Sequence, residues 1–339
     1  MTTTATPPSL MESILRLQEL ADYIVPFAIR AVCQLRVADH LVDGPRSTVE
    51  LAGLTDAHAP SLYRVLRALA CKGIFTEVEP GRFGLTPLAQ LLRSDHPLSL
   101  TEAYPLMAAN FRGWAEFEHT LRTGESAFVH AFGMSYYEHL AVDPRDSARY
   151  DGIQRAGTRL ELRAMLRAID WPAFGHVVDV GGNDGAFLAG LLGRYRQLRG
   201  TLLDLPHAVA HAPRLLAEAG VAQRCEVVAA DFFTGVPAGA DAYVLKRVLY
   251  DWDDADAARL LGVLRAAMRP DSRLLLLDPV LKPLDAFDVG KIYDLLSLAM
   301  LAGKARTLDE IVELLGQCGF QVLEVVQTAM FPIVQARPV

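Results

Sequence analysis

Between His176 and Val280 one texture returns five times: a short, almost wholly apolar run, then a stretch of helical period. The runs are HVVDV (176–180), GTLLDL (200–205), CEVVAAD (225–231), ADAYVLKRVL (240–249) and RLLLLDPV (273–280). Helices are expected from Ala186, around 207–219 and around 253–268. Strands that are apolar throughout, rather than at every second position, are buried on both faces. Alternation with helices makes them a parallel sheet covered on each side, an α/β fold. A last helix near 307–317 precedes QVLEVVQTAMFPIVQA (321–336), which reads as two closing strands.

The first third reads differently. Residues up to Pro8 are Thr/Pro-rich and expected to be disordered. Leu10 to His40 has apolar residues at helical spacing and is expected to form two helices broken near Pro26. Thr48 is the expected N-cap of a short helix to Gly53. Pro60 to Cys71 carries Leu62, Val65, Leu66 and Leu69 on one face. Ile74–Leu85 alternates around Pro80-Gly81, a hairpin signal. Helices followed by a hairpin are the order of a winged helix. As a DNA reader it would present Arg64, Arg67, Lys72 and Arg82 to phosphates, but the net charge is −7 with no basic cluster, which favours a packing module. Residues 100–165 are helical and rich in rings, among them Trp114, Phe132 and Tyr137, suited to the wall of a pocket for a flat substrate. The expected division is therefore 10–100, 101–165 and 166–339.

Composition narrows the setting. Cys33, Cys71, Cys225 and Cys318 are far apart with no CxxC pair, which argues against a disulfide scaffold or a local zinc site. No apolar run reaches about 18 residues, and MTTTATPPSL lacks the basic start and apolar core of a secretion signal. A cytoplasmic protein with no nucleic-acid or membrane partner and no metal is expected.

In an open α/β sheet, ligands bind at the carboxyl ends of the strands. Here those ends carry Asp179, Asp204 and Asp231, and the first strand runs into Gly181-Gly182-Asn183-Asp184-Gly185. Gly181 and Gly185 allow a tight turn and close approach of a ligand to bare backbone. A carboxylate at the end of strand two suits a ribose diol, and Asp231 with Phe232-Phe233 suits an adenine. The turn departs from GxGxxG at Asn183. Asp179 and Asp184 would repel a pyrophosphate. Adenosine joined to a cationic sulfonium, S-adenosylmethionine, matches that charge pattern better than NAD.

With these motifs in place, the chain resembles the S-adenosylmethionine-dependent small-molecule O-methyltransferases of the plant caffeate and bacterial antibiotic-pathway type. VDVGGNDG (178–185), DLPH (204–207), DFF (231–233), VLKRVLYDWDD (244–254), GKARTLDEIVELLGQCGF (303–320) and FGMSYYEHL (132–140) stand in that family's order over nearly the whole chain. The resemblance implies a Rossmann-like class I methyltransferase domain behind a winged-helix dimerisation domain, working as a homodimer. It places Gly181 against the methionine moiety, Asp204 with Leu205 at the ribose, Asp231 and Phe232 at the adenine, and Lys246 on the cofactor. It also places Leu296, Ser297 and Met300 on a helix lining the acceptor pocket.

The family's histidine before Asp-Trp is Tyr250 here, and its two supporting glutamates fall at Asp278 and Ala305. A tyrosine, with an ordinary pKa near 10, is a poor general base. Because the sulfonium is already activated, alignment alone supplies about 7–11 kcal/mol. The expected activity is methyl transfer to a small aromatic or polyketide-like secondary metabolite by proximity. Tyr250 would hydrogen-bond the acceptor, and Asp278 would be the one local carboxylate able to take a proton. The alternatives are N- or C-methylation, a non-methylating reaction (hydroxylation, decarboxylation or rearrangement) that keeps the cofactor, or a ligand-responsive DNA regulator. His119, His130 and His139 are further candidates for a base or a metal, though lone histidines are more often packing residues.

Overall fold

Ser9 caps the first helix of the described chain, residues 9–339 of a computed structural model, accepting from the Glu12 amide while the Glu12 carboxylate accepts from Ser9 in return. The Thr/Pro-rich start lies outside these residues. Packing divides the chain at Leu106/Met107 into two units.

The first unit holds α1 (Leu10–Ala21), α2 (Ile24–Gln34), β1 (Arg46–Ser47), α3 (Thr48–Thr55), α4 (Ala59–Cys71), β2 (Phe75–Glu79), β3 (Arg82–Leu85) and a short α5 (Pro87–Gln90). The break between α1 and α2 falls at Asp22-Tyr23 rather than at Pro26, which occupies the first turn of α2, where its missing N–H has no partner to lose. Likewise Ser47, not Thr48, caps α3, in a capping box with Glu50. The sheet runs β1-β3-β2, all antiparallel. Leu62, Leu66 and Leu69 of α4 pack with Val37, Leu51, Phe75 and Phe83, so the winged-helix order holds. In α1 no residue is buried, and Leu10, Met11, Ile14, Leu15, Leu17 and Leu20 are exposed.

The second unit begins with α6 (Ala108–Ala115), α7 (Phe117–Thr123), α8 (Ala127–Phe132), α9 (Tyr136–Val142) and the 25-residue α10 (Pro144–Ala168). The alternating part follows: β4 (His176–Val180), α11 (Ala186–Arg194), β5 (Arg199–Asp204), α12 (Ala212–Glu218), β6 (Cys225–Ala229), β7 (Ala242–Lys246), α13 (Asp254–Ala267), β8 (Arg273–Leu277), β9 (Val280–Leu281), α14 (Gly290–Leu301), β10 (Arg306–Thr307), α15 (Leu308–Gln317), β11 (Phe320–Val326) and β12 (Ile333–Pro338). The seven-stranded sheet has the order β11-β12-β8-β7-β4-β5-β6. Strands β4 to β8 pair in parallel, and β12 lies antiparallel to β8 and β11. One face packs on Trp171, Phe187, Leu191 and Phe331, the other on Leu260, Leu264, Ile311 and Leu315. Gly190 lets α11 lie close to α10, since a Cβ there would strike Leu162.

The segment 107–165 belongs to this second unit rather than standing apart as a part of its own. The Ser126 hydroxyl donates to the Met300 carbonyl at 2.8 Å, and Gly113 leaves just enough room for the Met300 thioether. The helices after Leu106 therefore form a cover anchored to α14. Phe187, fully buried against Trp171, has no room to be replaced by a smaller group without a void. Phe187→Ala is expected to destabilise the sheet-bearing unit by about 3–5 kcal/mol, read as a lower urea midpoint in tryptophan fluorescence; an unchanged midpoint would refute this packing.

Candidate functional site

The carboxyl ends of β4, β5, β6 and β7 open into a cavity of about 610 Å³, within the range of small-molecule sites. Its two ends differ. At one end stand Gly181, Asp204, Leu205, Asp231 and Phe232; at the other, Val129, Tyr136, Tyr137, Leu140, Met300 and Leu301 from α8, α9 and α14. Trp252 joins them: it stacks on Tyr137 with centroids 6.3 Å apart and meets Phe232 edge-on at 5.9 Å.

The strand-end acids do three different things. Asp179 is fully buried beneath the glycine turn, and neither of its carboxylate oxygens has a hydrogen-bond partner. Burial pushes its carboxyl up to about 7, with Lys246 drawing it down. Asp204 accepts from the Asn183 and Leu205 amides, each at 2.7 Å, which pins the turn to β5; burial holds its carboxyl up at about 6. Asp231 accepts from the Phe233 amide at 2.8 Å, setting the Phe232-Phe233 wall. The turn must be glycine at Gly181, where φ is +73° and a Cβ would come within 2.7 Å of Val248. Gly182 is similarly closed by the Asp179 carboxylate. Gly185 begins α11 at φ +82° but does not reach the cavity wall.

Positive charge enters from β7 and its following loop. Lys246 donates to Thr158 at 3.1 Å and lies 3.5 Å from Glu161; the Arg247 guanidinium is 3.9 Å from Glu161 and sits over the Tyr293 ring. Arg247 and Asn183 both take left-handed backbone conformations, with φ of 60° and 51°. Such strain is held where the surroundings over-determine it, commonly at functional sites.

Packing separates the residues expected on the acceptor side. Tyr137 and Met300 line the cavity; Trp114, Phe132 and Leu296 do not. Trp114 packs on Phe117 at the surface, Phe132 stacks on Phe128 under the Arg112 guanidinium, and Leu296 is exposed. Nor does the structure bring Tyr250 or Asp278 to the wall. The Tyr250 ring turns toward Tyr293, and its carbonyl accepts from Ser297 at 2.7 Å. Both Asp278 oxygens accept from backbone, Val248 and Tyr250, at 3.2 Å, so this acid braces the loop after β7. Asp278 is thus not the one carboxylate near the acceptor end. Asp251 is there, on the wall, accepting from the Tyr137 hydroxyl at 2.6 Å.

Sequence reasoning missed Asp251, Arg247 and Trp252 although they lie inside VLKRVLYDWDD. It also missed the polar stripe of α10, where Asp151, Thr158 and Glu161 are buried and the first two line the cavity. His119 stacks on His130 away from the cavity. His139 pairs with Asp146 at 3.0 Å; with Asp143 these form the one candidate cation group among the described residues, but Asp143 caps α10 and Asp146 also pairs with Arg149.

A group that binds here must tolerate the desolvated Asp179, with Asp184 and Asp204 around it and bare backbone at Gly181. A pyrophosphate does not fit that charge; a nucleoside carrying a cationic sulfonium and ammonium does. A carboxyl whose folded pKa is raised holds its proton more tightly folded than unfolded, so stability is lost as pH rises from about 3.9 toward 7. Asp179→Asn is therefore expected to raise the melting temperature of the ligand-free protein at pH 8, where wild type carries an unpaired buried charge, by an amount worth about 1–3 kcal/mol. At pH 5 the two proteins are expected to melt nearly alike. A difference that does not change with pH would contradict the assignment.

Comparisons with known proteins agree with this geometry. A family model described as an O-methyltransferase domain matches residues 114–321, and one described as an O-methyltransferase dimerisation domain matches residues 17–95. The chain is 40% identical over 331 residues to phenazine O-methyltransferase PhzM of Lysobacter antibioticus, covering 97% of each. It is 38% identical over 309 residues to 2,7-dihydroxy-5-methyl-1-naphthoate 7-O-methyltransferase of Streptomyces carzinostaticus, covering 90% of this chain and 92% of that one. Its structure is similar to that of the O-methyltransferase NcsB1 from neocarzinostatin biosynthesis, crystallised with S-adenosylmethionine and 2-hydroxy-5-methyl naphthoic acid: TM-score 0.81, 36% identity, 95% of this chain and 98% of that one.

Proposed function

Since the chain belongs to the O-methyltransferase family, we propose that it transfers the methyl group of S-adenosylmethionine to a hydroxyl on a flat, fused-ring aromatic secondary metabolite, of the phenazine or naphthoate class, as a homodimer. The observation that carries this reading is one cavity with two chemically distinct ends, acidic and glycine-lined at the strand ends and aromatic under α8, α9 and α14. The relatives named for phenazine and naphthoate acceptors support the substrate class. The dimerisation model over residues 17–95 and the apolar face that α1 leaves uncovered support the assembly. No helix among the described residues is long and apolar enough to cross a membrane.

In this reading Asp204 accepts from the ribose hydroxyls, Asp231 and Phe232 hold the adenine, and Asp179, with Gly181 above it, provides the negative field for the methionine end. Lys246 is positioned by Thr158 and Glu161 beside that end. S-adenosylmethionine supplies an activated methyl group when bound. The residues of the chain bind it, aim the acceptor from the aromatic end and exclude water, and alignment of two bound reactants is worth about 7–11 kcal/mol of barrier. Trp252 fixes the spacing between the two ends by touching both Phe232 and Tyr137.

Incubation with methyl-labelled S-adenosylmethionine and hydroxyphenazine or hydroxynaphthoate is expected to yield a methyl ether, one S-adenosylhomocysteine per product. Intact cofactor after acceptor conversion would favour the non-methylating alternative, and no product from either ring class would sink the proposed acceptor. Asp204→Asn is expected to weaken cofactor binding by roughly 10–100-fold, the loss of one or two charge-assisted hydrogen bonds, in a calorimetric titration; unchanged affinity would remove Asp204 from the ribose.

A further inference from the structure

Methylating an aromatic hydroxyl releases one proton, and the residue that takes it is not obvious. The position that the family resemblance assigns to a histidine is Tyr250, whose ring lies off the cavity wall and whose hydroxyl burial pushes well above its ordinary range. Asp278 has both oxygens engaged by backbone amides. Of the remaining acids, Asp204 and Asp231 stand at the nucleoside end, Asp179 is sealed beneath the turn, Asp184 is paired with Arg155 at 2.9 Å, and Asp151 holds Asn183. His207 follows Asp204 on the β5 end, again on the nucleoside side.

Glu138, also on the wall, is exposed and tied back to the Ser135 amide at 2.7 Å in the capping box of α9, which leaves one buried carboxylate. Asp251 faces the cavity between the two ends and is only 8% exposed, and its carboxylate has as its sole hydrogen-bonded partner among the described residues the Tyr137 hydroxyl, itself on the acceptor wall. Tyr137 is fixed by its stacking on Trp252. One oxygen of the carboxylate is therefore held by a phenol from α9, and the group is presented to the space that an acceptor hydroxyl enters.

Resting on the methyl-transfer reading above, we propose that Asp251, held by Tyr137, is the proton acceptor of the reaction, in place of the histidine that Tyr250 has displaced. The acceptor oxygen forms its bond to the methyl carbon as the carbon–sulfur bond breaks, and that electron pair leaves the sulfur a neutral thioether. The hydroxyl proton passes to the Asp251 carboxylate, which becomes a carboxylic acid and returns the proton to solvent when the product leaves. No other reactant is required. The groups facing Asp251 are Tyr136 and Tyr137 of α9, Tyr150 of α10, Arg247 and Tyr250 of the loop after β7, and Asp278 after β8. Burial raises its carboxyl to about 7, with Tyr137 and Arg247 opposing, which suits a base at neutral pH.

The test uses the full-length protein with S-adenosylmethionine and hydroxyphenazine, in wild type, Asp251→Asn and Tyr137→Phe. Asp251→Asn is expected to lower kcat by roughly 10²–10⁴-fold while S-adenosylhomocysteine binds as in wild type, which controls for folding. The wild-type profile is expected to have a rising limb near pH 7, about where Asp251 titrates. The variant is expected to lose that limb and to recover only at the higher pH where hydroxyphenazine ionises by itself. Tyr137→Phe, which keeps the carboxylate but frees it, should lose less. Wild-type kcat and pH profile in Asp251→Asn would overturn the proposal. If wild type gives no ether with hydroxyphenazine, the acceptor class fails separately, and Asp251 is still decided by absorbance. In the complex with S-adenosylhomocysteine, the ionised Asp251 carboxylate beside the hydroxyl disfavours a second negative charge, so hydroxyphenazine should take its phenolate spectrum at higher pH in wild type than in Asp251→Asn; coincident titrations would sink it.

Discussion

A buried carboxylate without a hydrogen-bond partner in the protein is unfavourable, and Asp179 is held in that condition by the fold itself. It stands one residue from the end of β4, the middle of the five parallel strands, and is roofed by a glycine turn whose backbone leaves no space for a side chain. A free charge there is tolerated either by taking up a proton or by receiving a cation. The rest of the site follows from this. Asp204 draws the turn over it through the Asn183 amide, Lys246 is close enough to temper it without hydrogen-bonding to it, and the ligand that satisfies it must bring positive charge without phosphate.

The same division between structural and chemical acids runs through the loop after β7. Asp278 and Asp251 are both buried carboxyls pushed up to about 7. Their partners separate them: Asp278 is tied to backbone amides and shapes the loop, whereas Asp251 is tied to a side chain on the cavity wall. A titration tendency alone does not distinguish the two; position relative to the cavity does. Tyr250 itself serves the loop through its backbone, its carbonyl accepting from Ser297 and its amide donating to Asp278.

The sheet was readable because parallel strands buried on both faces are apolar without interruption, and the acids at their ends stand out against that background. All five runs became strands of one sheet, and Gly181, Asp204, Leu205, Asp231, Phe232 and Lys246 line one cavity. The acceptor end was less readable. Trp114, Phe132 and Leu296 have the same composition as Tyr137 and Met300, and only packing decides which rings face inward. The polar side of α10 was hidden for the opposite reason: buried Asp151, Thr158 and Glu161 look like ordinary solvated positions in an arginine-rich helix. Asp251 was overlooked since its neighbour Tyr250 occupies the position where chemistry was sought.

Calorimetric titration of the protein with S-adenosylmethionine, in two buffers of different ionisation enthalpy at about pH 6.5, reads the central claim directly, since binding that lowers a raised pKa must release protons. The account requires one-to-one binding with net proton release, as the sulfonium and ammonium replace the proton held on Asp179. Binding without proton release would leave Asp179 out of the recognition, and absence of binding beside a tightly held pyridine dinucleotide would contradict the account as a whole.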